Sequence, residues 1–363
     1  MVRICYFVSD ITATGGIERV VSNLTLEQAN DSDLDITIVS EYRSFYYPNY
    51  QFDTRIRMVY LQDAVLSNSP GSFTRLKQHL VSIRLVRKFF MNNEFDLILA
   101  QSFPMTFILW CAGLDMSRVI GVEHVNYGYY GKVIRSLRHY IYKRLYCLVV
   151  ITSQDEKDFC TEGLTRVTTI FNPIDLSKRS HSPLISKKII SVGRLVSAKG
   201  FDTLVEIFRK VHDRYPDWQV EIYGEGVLHD VLQKQIDEAG LSACFKLMGV
   251  TDKIEDAYRS ASIFVCTSRY EGFPMVLAEA MSQGLACISF DCPTGPSILL
   301  SGEQVGILVE NQNQLEFENA LLRLMEDDKL RRYLGTNAYA SVERFDVCNI
   351  CREWKKLYLN FLN

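Results

Sequence analysis

The strongest constraint on the fold is an alternation of short β-rich runs with longer amphipathic stretches along the 363 residues. In the first half the β-rich runs are Arg3–Ser9, Asp35–Ser40, Leu97–Ala100, Val119–Val122, Cys147–Ile151 and Thr168–Phe171. In the second they are Lys188–Val192, Gln219–Tyr223, Phe245–Met248, Ile263–Thr267, Ala286–Phe290 and Gly306–Val309. Stretches of helical period lie between most of them, as at Ile17–Glu27, Phe201–Val211, Val227–Ala239 and Pro274–Gln283. Alternation of this kind predicts an α/β chain whose parallel sheets are covered by helices on both faces. There are enough strands for two sheets, and about 150 residues per domain also predicts two domains. The boundary is expected at Asn172 to Ser186, where Asn-Pro, Ser-Pro and small polar residues interrupt the pattern. The stretch Ile350 to Leu362 is apolar at helical spacing, which suits packing back onto the first half.

Composition removes several classes. Hydrophobic residues at 47% and charged residues at 23% are those of a globular chain, and 20 Gly and 9 Pro do not suit a collagen-like or low-complexity one. A net charge of −3 gives no footprint for nucleic acid. The opening MVRICYFVSD lacks the layout of a signal peptide. The longest apolar stretch, Phe103 to Leu114, is shorter than the roughly 18 residues a bilayer demands. Ten scattered Cys without an export signal predict reduced thiols and a cytoplasmic protein. Cys348 and Cys351 have redox or metal spacing, but no second Cys or His pair follows them; no metal site is expected.

Charge is unevenly spread: residues 1–150 carry +3 and residues 151–363 carry −6. Two stretches in the first half hold cations and no acids. Residues 71–90 contain Arg75, Lys77, Arg84, Arg87 and Lys88; residues 128–147 contain Lys132, Arg135, Arg138, Lys143 and Arg144. In each, apolar residues recur near helical spacing (Leu76, Leu80, Ile83 and Phe90; Ile134, Leu137, Ile141 and Leu145). An ordinary buried stripe under a solvated basic face is the simplest expectation. Contact with an anionic membrane is the alternative.

Three segments carry possible chemistry. Gly15-Gly16-Ile17-Glu18-Arg19 follows the first strand, where paired glycines let backbone amides approach an anion or simply make the turn. The spacing is not Gly-x-Gly-x-x-Gly, which disfavours a dinucleotide-dependent oxidoreductase. Gly193-Arg194-Leu195 with Lys199-Gly200 places two cations five residues apart after a strand. They suit a diphosphate at the sheet edge, unless both are merely solvated. In Glu271-Gly272-Phe273-Pro274-Met275-Val276-Leu277-Ala278-Glu279, Pro274 suits the first helical position, with one carboxylate on the loop and Glu279 about one turn into the helix from Met275. Acids at an exposed helix start are the plain alternative, but the apolar residues between them argue against exposure.

Together these segments resemble the retaining glycosyltransferases of GT-B fold, family GT4, the group of bacterial surface-polysaccharide and glycolipid enzymes. The likeness spans essentially the whole chain. It implies two Rossmann-like domains facing each other across a cleft: an acceptor-side domain, 1–171, joined by a returning C-terminal helix at about 346–363, and a donor-binding domain, 172–345. It implies that Arg194 and Lys199 hold the donor diphosphate in place of a metal ion, and that Glu279 accepts the ribose hydroxyls. Glu271 would bind the donor sugar with the amides of Gly272, Phe273 and Met275, while Gly193 makes the turn before Arg194. Gly15 and Gly16 would close on the diphosphate, His124 would stand beside the reacting sugar, and Gly249 and Val250 would line the base.

Asp291-Cys292-Pro293-Thr294-Gly295-Pro296-Ser297 reads as a rigid turn on its own. The resemblance associates it with UDP-sugar users, although Ile298-Leu299 stand where relatives usually have an acid. The expectation is therefore a metal-independent, retaining transferase without a cofactor. It would move a hexose or N-acetylhexosamine from a UDP-sugar to a glycan acceptor that is lipid-linked. The implied setting is capsule, O-antigen or related synthesis at the inner face of the cytoplasmic membrane. GDP-mannose as donor, or a sugar-nucleotide-binding protein without turnover, are the other readings.

Overall fold

The computed structural model describes residues 1–65, 73–293 and 295–362, with side chains undescribed at 73–76 and 362. The chain separates into two compact units: Met1–Pro173 with Val347–Asn363, and Ile174–Asp346.

The first unit holds a seven-stranded sheet made of β1 (Val2–Val8), β2 (Leu34–Ser40), β3 (Arg57–Tyr60), β4 (Leu97–Ala100), β5 (Val119–Glu123), β6 (Cys147–Val150) and β7 (Val167–Thr169). Its helices are α1 (Gly16–Gln28), α2 (Phe73–Asn92), α3 (Phe103–Cys111), α4 (Lys132–Tyr142) and α5 (Ser153–Thr161). Strand order is β3-β2-β1-β4-β5-β6-β7, and every pairing is parallel. Central strands covered on both faces read as unbroken apolar runs, as Ile4 to Val8 of β1 do, all fully buried. β3 was not expected from sequence. It is a half-buried edge strand of four residues behind a polar loop, too short to carry a pattern.

The second unit holds a six-stranded parallel sheet of β8 (Lys188–Val192), β9 (Gln219–Tyr223), β10 (Phe245–Gly249), β11 (Ile263–Cys266), β12 (Ala286–Asp291) and β13 (Ile307–Glu310), in the order β10-β9-β8-β11-β12-β13. Its helices are α6 (Phe201–His212), α7 (His229–Glu238), α8 (Ile254–Ser260), α9 (Met275–Ser282), α10 (Pro296–Leu299), α11 (Gln314–Glu326) and α12 (Asp328–Ser341). Helix α6 buries Phe201, Leu204, Val205, Phe208 and Val211 against the sheet and ends in Arg209, Lys210 and His212, which suit the negative end of its dipole.

The last helix, α13 (Val347–Leu362), belongs to the first unit and packs on α1. Buried Tyr358 meets the Tyr6 hydroxyl at 3.2 Å, and both share Gln28, which accepts from Tyr6 at 2.7 Å and donates to Tyr358 at 3.3 Å. Lys355 adds ion pairs to Asp31 and Asp33 at 2.7 and 3.2 Å.

Strand order reverses between β1 and β4 in one sheet and between β8 and β11 in the other. Open parallel sheets leave a crevice for ligands at the carboxyl ends of the strands at such a point.

The buried-stripe expectation for the basic stretches needs correction. On α4, Ile141 is buried, as is Leu145 just beyond it, whereas Ile134 and Leu137 are exposed; on α2, Leu80 is exposed. Residues 71 and 72 lie outside the described residues, as do the side chains of Arg75 and Leu76.

Candidate active site

In the second unit the site grows from the β8–β11 crevice. After β8 the chain turns at Gly193 and displays Arg194 to solvent, then makes a short helical turn, Ser197–Lys199. Gly200 follows with φ of +64°, and a Cβ there would lie 2.1 Å from the Thr267 carbonyl oxygen, so only glycine fits. This close approach brings the Lys199 turn against the segment after β11. Lys199 Nζ donates to Glu271 Oε1 at 2.6 Å, and Ser268 Oγ donates to the same oxygen at 2.6 Å. Arg269 reinforces the contact: its guanidinium grips Asp202 at 2.9 and 2.6 Å, and its amide donates to the Ala198 carbonyl at 2.8 Å. Burial lowers the Lys199 pKa, but the charge and hydrogen bond of Glu271 outweigh it, so the ammonium is held above its ordinary range.

Beyond Glu271 the chain passes through Gly272 and buried Phe273, whose ring meets Phe345 at 5.4 Å. Pro274 caps α9 instead of occupying its first turn. The Met275 amide donates to the Phe273 carbonyl at 2.9 Å, within the turn that opens α9. Glu279 is only 8% exposed, which removes the reading of acids at an exposed helix start. The Tyr258 hydroxyl lies 3.2 Å from Glu279 Oε2 and donates toward it. The turn after β12 presses on the same loop: a Cβ at Gly295 would meet Pro274 Cδ at 2.6 Å and Glu271 Cβ at 3.1 Å. Thr294 in that turn lies outside the described residues. Gly249 ends β10 with φ of +70°, its carbonyl accepts from the Gly224 amide at 2.8 Å, and Val250 stands exposed beyond it.

In the first unit the corresponding strand ends carry Gly15, Gly16, Gln101 and His124. Gly15 caps α1 in an extended conformation, and a Cβ at Gly16 would meet nothing within 4 Å. The turn before them is held by Asp10, which accepts from the Thr12 amide at 2.9 Å, the Thr12 hydroxyl at 2.6 Å and the Ser44 amide at 3.0 Å. His124 follows β5, and its Nε2 donates to Gln101 Oε1 at 3.0 Å, which leaves Nδ1 as an acceptor. Burial pushes the His124 pKa down to about 4, so the ring is neutral at pH 7. The preceding residue, buried Glu123, accepts from the Tyr142 hydroxyl and pairs with Arg138 at 3.8 Å; burial pushes its pKa up to about 7.

Sequence reasoning missed Gln101, Ser268 and Arg269. Each lies within a few residues of a strand's carboxyl end, a positional signal that becomes specific only once the strand order is known. The second unit thus offers a lysine ammonium held against a carboxylate, with the exposed Arg194 on the preceding loop, suited to a phosphorylated, hydroxyl-rich ligand. Among the described residues no three His, Cys, Asp or Glu gather to hold a metal, and no helix is long and apolar enough to cross a membrane.

Comparison with known proteins agrees with this architecture. Residues 14–178 match the family described as Glycosyltransferase Family 4, and residues 175–341 match Glycosyl transferases group 1. The amylovoran biosynthesis glycosyltransferase AmsD of Erwinia amylovora is 25% identical over 98% of this chain and 99% of its own. The N-acetylgalactosamine-N,N'-diacetylbacillosaminyl-diphospho-undecaprenol 4-alpha-N-acetylgalactosaminyltransferase of Campylobacter jejuni is 30% identical over 52% of this chain and 53% of its own. The crystal structure of a TarM variant of S. aureus with fondaparinux, alpha-GlcNAc-glycerol and UDP superposes with a TM-score of 0.80 at 18% identity, covering 99% of this chain and 100% of that one.

Proposed function

This chain belongs to the family 4 glycosyltransferases of GT-B fold, and from that premise we propose that it moves a hexose or N-acetylhexosamine from a UDP-sugar to a glycan acceptor with retention at the anomeric carbon. The observation that carries the proposal is the Lys199–Glu271 pair, 2.6 Å apart at the β8–β11 crevice, with Arg194 exposed on the loop between β8 and Lys199. Lys199 and Arg194 neutralise the diphosphate without a metal ion, Glu271 and the Gly272 and Phe273 amides bind the donor sugar, and Glu279 accepts the ribose hydroxyls. Gly249 and Val250 line the base, and Gly15 and Gly16 approach the phosphates. His124 faces the reacting sugar as a neutral hydrogen-bonding group.

The chemistry follows from charge. Breaking a glycosyl–phosphate bond builds positive charge on the sugar and negative charge on the leaving diphosphate. Cations fixed in advance against that negative charge contribute about 3 kcal/mol for each donor. Attack from the face the diphosphate leaves lets its oxygen take the acceptor's proton, so no carboxylate nucleophile is required. UDP in the TarM crystal structure supports the nucleotide, the name of AmsD supports polysaccharide synthesis, and that of the Campylobacter transferase supports a lipid-linked acceptor; the acid-free basic stretches 71–90 and 128–147 suit peripheral contact with an anionic membrane.

The test is thermal melting with UDP, GDP, ADP or NAD, with and without EDTA. A ligand at 100 times its Kd stabilises by about 2.7 kcal/mol. A rise with UDP that survives EDTA is expected; a rise with GDP alone would replace the donor, and a rise with NAD alone would sink the transferase reading.

A further inference from the structure

The loop that follows β2 carries rings that the site does not use. Phe45, Tyr46 and Tyr47, consecutive in the chain, are 58, 73 and 75% exposed. Aromatic side chains gain much from burial, and three left together in solvent mark a binding surface. The loop is built to keep them there. At its start the Glu41 and Tyr42 amides donate to the Val8 and Ser9 carbonyls at 2.9 and 2.8 Å, which ties it to the end of β1. The Ser44 amide donates to Asp10 at 3.0 Å, the Phe45 amide to the Thr12 hydroxyl at 3.0 Å, and Asn49 Nδ2 to the Thr12 carbonyl at 2.7 Å. Arg43 locks the middle of the loop. Its Nη2 donates to the Tyr46 carbonyl at 2.6 Å, and its guanidinium lies over the Tyr46 and Tyr60 rings, 4.8 and 4.6 Å from their centroids. The Tyr46 and Tyr47 rings stand 83° apart with centroids at 4.6 Å, so together they form a corner.

We propose that this loop is a sugar-binding subsite, in which a pyranose of the acceptor glycan stacks its C–H face on the rings of Phe45, Tyr46 and Tyr47. The C–H bonds on the flat side of a pyranose are slightly positive and the face of an aromatic ring is negative, so the two attract as they exclude water. The tyrosine hydroxyls supply polar tips for the sugar's own hydroxyls. Location identifies the occupant. The loop leaves the carboxyl end of β2, on the sheet edge where Gly15 and Gly16 follow β1, Gln101 follows β4 and His124 follows β5. The order β2-β1-β4-β5 sets three spacings of about 4.8 Å, roughly 14 Å in all, between the ends of β2 and β5. The rings therefore receive a sugar set back from the reacting end, and they select the length and identity of the acceptor without touching the transfer step. The ring corner stands on the geometry of the first unit alone; its assignment to the acceptor rests on the transferase reading.

The experiment is retention of the full chain, with UDP present, on an array of immobilised bacterial surface glycans running from monosaccharides to octasaccharides. Wild type should be retained by the longer glycans and not by the monosaccharides. Tyr46→Ala/Tyr47→Ala should weaken that retention about tenfold, with melting temperature and UDP shift unchanged. Tyr46→Phe/Tyr47→Phe keeps the rings and should be retained nearly as wild type is. Wild type that passes every glycan, or an alanine pair retained as well as wild type, would overturn the proposal. A phenylalanine pair that loses as much as the alanine pair would overturn it too, since hydroxyls and not ring faces would then hold the sugar. So would a wild-type dimer that dissociates in the alanine pair while glycan retention is unchanged, which would assign the rings to a second copy of the chain. Glycan retention without any UDP shift would leave the sugar subsite standing and sink the nucleotide reading.

Discussion

Lys199 is the residue on which most depends, because it is held charged by the carboxylate it pairs with. Lys199→Ala or Arg194→Ala should lower turnover by about 100-fold or more while moving the melting temperature little. Near-wild-type rates from both would remove the diphosphate assignment. His124 yields a pH prediction. Its folded pKa of about 4 is depressed below the ordinary 6.5, so its contribution to stability is present above pH 6.5 and lost as pH falls from there to about 4. The melting difference between wild type and His124→Gln should therefore shift in the variant's favour across that window. Turnover should show no inflection near pH 6.5 that disappears in the variant.

At the scale of elements, glycine positions separate folding from ligand binding. At Gly200, both the positive φ and the Thr267 carbonyl exclude a side chain, and Gly200→Ala should destabilise by about 2 kcal/mol or more, read from urea melts. Gly16 opens α1 with free space around it, so Gly16→Ala should keep or slightly raise stability through better helix propensity. If Gly16→Ala still loses activity, the cost falls on the approach of a ligand. Helices and strands were largely legible because 3.6- and 2-residue periods record which faces are buried. The edge strand β3 was not, since four half-buried residues record no face. The two-sided character of α4 was misread for a related reason. Apolar spacing identifies a stripe but not what covers it, and Leu137 fits the period of the buried residues while lying in solvent.

For the whole molecule, the return of α13 makes the last residues part of the first core. Tyr358→Ala, at a fully buried position, should cost about 3 to 5 kcal/mol. Tyr358→Phe keeps the ring and should cost about 1 kcal/mol for the lost hydrogen bonds to Tyr6 and Gln28. Differential scanning calorimetry of wild type and both variants should resolve the larger loss from the smaller. A Tyr358→Ala variant as stable as wild type would remove α13 from the first core.

The alternation of short apolar strands with amphipathic helices was enough to specify two parallel α/β sheets, because burial on both faces and right-handed crossovers leave few other arrangements. The motifs, through the family resemblance, likewise pointed to Lys199 and Glu271 as neighbours in one site. Tertiary structure alone decided that Lys199 and Glu271 pair, that Arg269 and Gly200 bring their loops together, that Gln101 orients His124, and which side of α4 meets solvent. Those contacts join residues up to 72 positions apart, and no local period encodes them. They depend on strand order, which brings β8 beside β11 and β4 beside β5.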